Sequence, residues 1–241
     1  MKAQAAEIYN ETLGKNSVRG EQRGMFEGNA TKAARVATSL QVPVFDEVFS
    51  KTLVELFRWR RDVRSFRPDP VPTGLLDNLF EIAALAPWVG LSQPWRFVIV
   101  QDAARRRAIR ASFQTCNAQA LAAQDESRSA LYAQLKLAGL DQAPCQFAVC
   151  IEPDSEQGHG LGRQTMPETT AYSAVMAIHT LWLAARAAGL GVGWVSIIDP
   201  AIVMATLDLP ASWKLVGYFC LGYPASECDT PELERQGWES R

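Results

Sequence analysis

The chain has 241 residues, 48% of them hydrophobic and 21% charged, with a formal net charge of −2. One large domain with a substantial core is the expectation for that length, and the balanced charge excludes a global polybasic surface for nucleic acid or membrane. Five cysteines (116, 145, 150, 220 and 228) include no C-x-x-C pair, and His159 and His179 add no zinc-ligand spacing, so reduced thiols in the cytoplasm and no metal are expected.

Residues 1–42 are polar, lack a sustained period and have no apolar signal core, and read as a poorly ordered N-terminal arm. In PVFDEVFSKTLVELFRWRR (43–61), Phe45, Val48, Phe49, Leu53, Leu56 and Phe57 recur every three or four residues. That spacing predicts an amphipathic helix, whose basic end runs into FRWRRDVRSFRPDP (57–70). TGLLDNLFEIAALAPW (73–88) predicts a second helix stopping before Pro87, and RFVIVQD (96–102) a strand. From Ala103 to about Leu140 the chain is rich in Ala, Arg and Gln but weak in hydrophobic period, which suits a surface helical segment or a mobile lid, the lid spanning 112–136. CQFAVCIEP (145–153) is a strand, and 154–167, with three glycines and Pro167, a loop.

The apolar run 171–198 is interrupted by His179 and Arg186 and split by Gly189 and Gly191, so it reads as a buried helix to Ala188 and the strand GVGWVSII (191–198) rather than a membrane span. A short helix after Asp199-Pro200 and the strand KLVGYFCLGYP (214–224) complete the order. Helices flanking interspersed strands indicate an α+β domain with a mostly antiparallel or mixed central sheet.

Three segments offer chemistry. Arg60, Arg61 and Arg64 fall within one helical turn and can converge on a phosphate, or they form a solvated basic turn favoured by the helix dipole. APWVGLSQPWRFVIV (86–100) either wraps a planar ligand, with Gln93 on a ring edge, or is an ordinary loop with Trp95 buried. GLGVGWVSIIDP (189–200) carries glycines between helix and strand, the wrong order for a dinucleotide fold. They ease packing, or they bring backbone close to a ligand and aim Ser196 at it; no G-x-S-x-G elbow makes that serine a hydrolase nucleophile.

Together RRDVR (60–64), QPW (93–95), LKLAGLDQAP (135–144), LWLAARAAGLGVGWVSI (181–197) and PELERQGW (231–238) resemble the nitroreductase-like flavoprotein superfamily, and within it the 5,6-dimethylbenzimidazole synthases, from about Phe45 onward. The resemblance implies a flavin-binding domain over 43–241: a nitroreductase-like α/β sandwich forming an intertwined homodimer, with FMN at the subunit interface. It implies that Arg60, Arg61 and Arg64 grip the phosphate and ribityl chain, and that Pro87, Trp88, Gln93, Gly193, Trp194 and Arg241 complete the cofactor site. Asp62, where ordinary nitroreductases commonly carry Ser, and Ser196 are the implied catalytic pair; Leu91 stands where those reductases often have Asn.

The implied reaction is the fragmentation of reduced FMN by dioxygen to 5,6-dimethylbenzimidazole, the lower ligand of cobalamin, and erythrose 4-phosphate, with reduced flavin supplied by a separate flavin reductase. An NAD(P)H-dependent nitro- or quinone reductase and a non-enzymatic flavin- or corrinoid-binding protein are the alternatives. Arginine neighbours lower the Asp62 pKa and burial raises it, and the sequence leaves the winner open.

Overall fold

A computed structural model describes residues 7–9, 42–135 and 138–240. The helices are α1 (Glu47–Trp59), α2 (Thr73–Ala83), α3 (Ala103–Ala122), α4 (Glu126–Gln134), α5 (Gly139–Gln142), α6 (Thr169–Ala187), α7 (Pro200–Thr206) and α8 (Glu232–Arg235). The strands are β1 (Glu7–Tyr9), β2 (Trp95–Ile99), β3 (Cys145–Ile151), β4 (Gly191–Val195) and β5 (Lys214–Gly222). They form one antiparallel sheet in the order β1-β2-β3-β5-β4, which resolves the mixed alternative. Most of the expected arm lies outside the described residues; β1 within it pairs with β2, a contact the polar sequence does not announce.

Period-two alternation divides the buried apolar residues of β2, β3 and β5 between two cores. Phe97, Phe147, Val149 and Phe219 face α2 and α6, where they meet Leu79, Phe80, Ile178 and Leu181. Val98, Ala148, Tyr218 and Cys220 face the opposite layer with Ile109 of α3 and Val203 of α7. With both faces covered, β3 is buried along its whole length, as its near-continuous apolar sequence requires.

Aspartate caps start four of the helices. Asp46, Asp102, Asp125 and Asp199 each accept a backbone N–H of the first turn through the side chain, satisfying one of the orphan donors there. The weakly periodic stretch 103–140 resolves into α3, α4 and α5.

α6 buries one face in its own chain: Ala174, Ala177, Ile178, Leu181 and Ala185 pack against the sheet. Among the described residues no helix is long and apolar enough to cross a membrane. α1 is the opposite case. It buries no residue, and Val48, Phe49, Val54 and Phe57 are exposed, Val48 by 71%.

Candidate active site

The basic stretch is not a helical turn. α1 ends at Trp59, and its cap residue Arg60 is already extended at φ −71°, ψ 113°. The chain then runs beside the outer edge of β4: Asp62 bridges Val192 in parallel, and Val63 N–H donates to Val192 O at 3.0 Å. This strap covers an edge strand that would otherwise present unpaired backbone groups. Extended backbone places successive side chains on opposite sides, so the expected convergence of Arg60, Arg61 and Arg64 is corrected. Arg61 turns away, its Nε donating to Asp229 O at 2.7 Å, and lines a separate hollow with Trp59, Trp182 and Arg186. Arg60 lies over the Trp182 ring at 5.2 Å, and both Arg60 and Arg64 act electrostatically on Asp62.

Asp62 is fixed at both oxygens. Trp194 N–H donates to Oδ1 at 2.8 Å, and Arg64 Nε stands 3.6 Å from Oδ2. Burial of the carboxyl outweighs these contacts and holds its pKa above the ordinary value of 3.8; the Trp194 bond, Arg64 and Arg60 pull it back in that order. β4 ends at Val195 rather than running to Ile198, which leaves Ser196 exposed just past the strand. Asp62, Arg64, Trp194 and Ser196 line one cleft of about 210 Å³.

Gly193 and Trp194 have distinct roles. A Cβ on Gly193 would stand 2.1 Å from Val63 O, so the glycine admits the strap, and the residue is buried. The Trp194 indole packs on Phe219 at 5.0 Å and over Gly217, whose own Cβ would lie 2.3 Å from Trp194 Nε1.

Pro87, Trp88 and Gln93 are not in this cleft. Their loop takes left-handed backbone at Gly90, Leu91 and Gln93, with φ of 55°, 54° and 41°. It packs on the glycine loop after β3, where a Cβ on Gly90 would meet Leu161 O at 2.3 Å. Trp88 stacks edge-on against Trp95 at 5.4 Å, and its buried indole N–H has no partner among the described residues. Arg241 lies outside the described residues.

Residues 57–223 match the Nitroreductase family. The chain belongs to the nitroreductase family. This family member is 58% identical over 199 residues to a 5,6-dimethylbenzimidazole synthase of Rhodospirillum rubrum, covering 83% of this chain and 94% of the relative. A synthase of the same name from Rhodobacter capsulatus is 46% identical over 195 residues, covering 81% and 94%. A crystal structure of oxidized iodotyrosine deiodinase bound to FMN and 3-iodo-L-tyrosine shares the fold, with a TM-score of 0.62 at 23% identity over 73% of this chain and 91% of that one.

In this nitroreductase-family chain the cleft is also lined by residues that were not expected as site residues from the sequence. Phe113 and Asn117 of α3, Tyr132 of α4, Leu135, Leu233 and Trp238 line it together with Asp62. The i, i+4 spacing of Phe113 and Asn117 puts them on one helix face, a signal too short to stand out in an Ala- and Arg-rich helix. The expected lid segment thus reaches the site, although Lys136 lies outside the described residues.

Proposed function

We propose that this chain is a 5,6-dimethylbenzimidazole synthase, an oxygen-dependent enzyme that consumes reduced FMN and releases dimethylbenzimidazole and erythrose 4-phosphate. The observation that carries the reading is Asp62: a carboxyl with raised proton affinity, set between Arg60 and Arg64, in the same cleft as Ser196. The residues present fit a flavin. Guanidinium groups along the strap suit a phosphate, and the walls formed by Phe113, Trp194, Ile197 and Trp238 suit a planar ring. Identity of 58% to a synthase of that name supports the same chemistry.

In this reading Arg60 and Arg64 bind the phosphate and ribityl chain of reduced FMN, the substrate. Asp62, poised by burial to hold or release a proton closer to neutrality than an exposed carboxylate, serves proton transfer at the ribityl chain. Ser196 Oγ hydrogen-bonds the reacting edge of the flavin. Reduced FMN comes from a separate flavin reductase, and the reaction takes place in the cytoplasm.

The active unit in this proposal is a homodimer. The apolar row of α1 and the neighbouring Tyr172, Val175 and Met176 of α6 are exposed in the single chain, an arrangement that suits a partner surface. Across a two-fold axis the partner would bring its Pro87, Trp88 and Gln93 loop to the open side of the cleft and hold FMN between subunits.

Aerobic incubation with chemically reduced FMN, followed by chromatography, tests the activity: dimethylbenzimidazole should accumulate in step with flavin loss. Intact FMN that stays bound, with turnover of nitroaromatics on NADH, would establish the reductase instead.

A further inference from the structure

We propose that Asn117 is a flavin-contacting residue of the lid, donating from its amide Nδ2 to an acceptor on the ring, and that Tyr132 is the positioning residue that sets it. The proposal rests on the reading that the cleft takes reduced FMN, and it adds a ligand contact from α3.

α3 is anchored along its first half. Arg105 Nη1 and Nη2 reach Leu207 O and Asp208 Oδ2, and Ser112 Oγ accepts from Asp199 N–H at 3.1 Å, which ties the helix to α7. Beyond Ser112 the helix lines the cleft with Phe113 and, one turn later, Asn117. There Tyr132 Oη donates to Asn117 Oδ1 at 2.9 Å, joining α3 to α4.

That bond uses the oxygen of the amide and so fixes its orientation. The two N–H donors of Nδ2 then have no partner among the described residues. Tyr132 is held in turn by the tail. Gly237, at φ 74°, lets the chain reverse after α8 so that Trp238 N–H donates to Leu233 O at 2.8 Å. This sets the Trp238 ring edge-on to Tyr132 at 6.1 Å, with Arg128 over its face at 5.3 Å. Tail, α4 and α3 thus form one chain of contacts that ends in an amide donor pair at the cleft.

The cleft that Asn117 lines has aromatic and apolar walls, Phe113, Leu135, Trp194 and Trp238 among them, while the charged groups Asp62 and Arg64 stand on the strap. Aromatic and apolar walls take the ring of a flavin. The donors of Asn117 therefore meet a ring carbonyl or ring nitrogen rather than the phosphate. Because such an amide is aimed and specific, it selects a ring with an acceptor on that edge.

The test is anaerobic calorimetry of reduced FMN and reduced riboflavin with the full-length protein and with Asn117→Ala, Asn117→Asp and Tyr132→Phe. Asn117→Ala should weaken both ligands equally, by about 3- to 10-fold, because the lost bond is to the ring. Asn117→Asp should weaken them further, since it replaces donors by a charged acceptor. Tyr132→Phe keeps the packing on Trp238, so a partial loss on both ligands with unchanged melting temperature would mark positioning rather than folding. Unchanged affinity in all three variants alongside normal binding by the parent would overturn the Asn117 role and leave the proposed function standing. A penalty on FMN but none on riboflavin would also overturn it, by moving the contact to the phosphate. Failure of the parent protein to bind reduced FMN would remove the reading of the cleft and the proposal with it.

Discussion

Asp62 accepts the backbone N–H of Trp194 at 2.8 Å, across 132 residues of sequence. The bond locks the strap to β4 and holds the carboxyl where burial raises its pKa above 3.8. A native state that binds this proton more tightly than the unfolded chain draws stability from it at low pH. The contribution is full below the ordinary Asp value and is lost as pH rises through the raised one.

Asp62→Asn removes that loss while keeping an acceptor for Trp194. Its melting temperature should exceed the parent's at pH 7, and the difference should shrink as pH falls toward 3.8. In the same variant product formation should fall by about 100-fold or more while flavin still binds, the separation expected of a proton-transfer group. A variant equally unstable at both pH values, or one that turns over normally, argues against this role.

Arg60→Ala and Arg64→Ala should each weaken FMN by roughly 10- to 100-fold, the worth of a charge-assisted hydrogen bond. Riboflavin, which lacks the phosphate and keeps the ribityl chain, should be weakened much less. Arg61, which donates to Asp229 O on the other side of the strap, supplies the control: Arg61→Ala should affect both ligands alike. Titrations in which Arg61→Ala shows the phosphate-specific loss would reverse this assignment.

Gly193→Ala puts a Cβ 2.1 Å from Val63 O, where backbone must move. Destabilisation of about 1–3 kcal/mol, or roughly 3–10 °C in Tm, is expected from overpacking. Product formation should fall with it, because the displaced strap carries Asp62. Calorimetry showing an unchanged Tm would argue against the close approach of the strap to β4.

The exposed row on α1 predicts assembly. Light scattering at micromolar concentration should give a dimer mass for the parent, and Phe49→Asp or Phe57→Asp should shift it toward monomer with loss of flavin binding. A parent protein that is monomeric under those conditions would count against the shared site.

Much of the fold is local chemistry and is legible in the sequence. The Asp caps, the apolar period of α1 and the buried strands around Phe97, Phe147 and Phe219 locate most elements within a few residues. RRDVR and GWVS single out Asp62 and Ser196, and the structure brings both to one cleft. The polar residues around Tyr132 and Asn117 carry no comparable period, and their pairing joins two helices over a 15-residue separation.

The sequence by itself determined most of the element types, because capping and periodicity act between near neighbours. Tertiary structure alone decided where α1 stops. Arg60 to Arg64 suit a helix end and an extended strap about equally, and the backbone pairing of Asp62 and Val63 with distant Val192 settles the choice. That choice replaces a 3.6-residue period by one of two, which turns Arg61 away and gathers Asp62 and Arg64 on one side. The proton affinity of Asp62 follows from the same packing, since desolvation depends on what the folded chain lays over a carboxyl and not on the residues beside it in sequence.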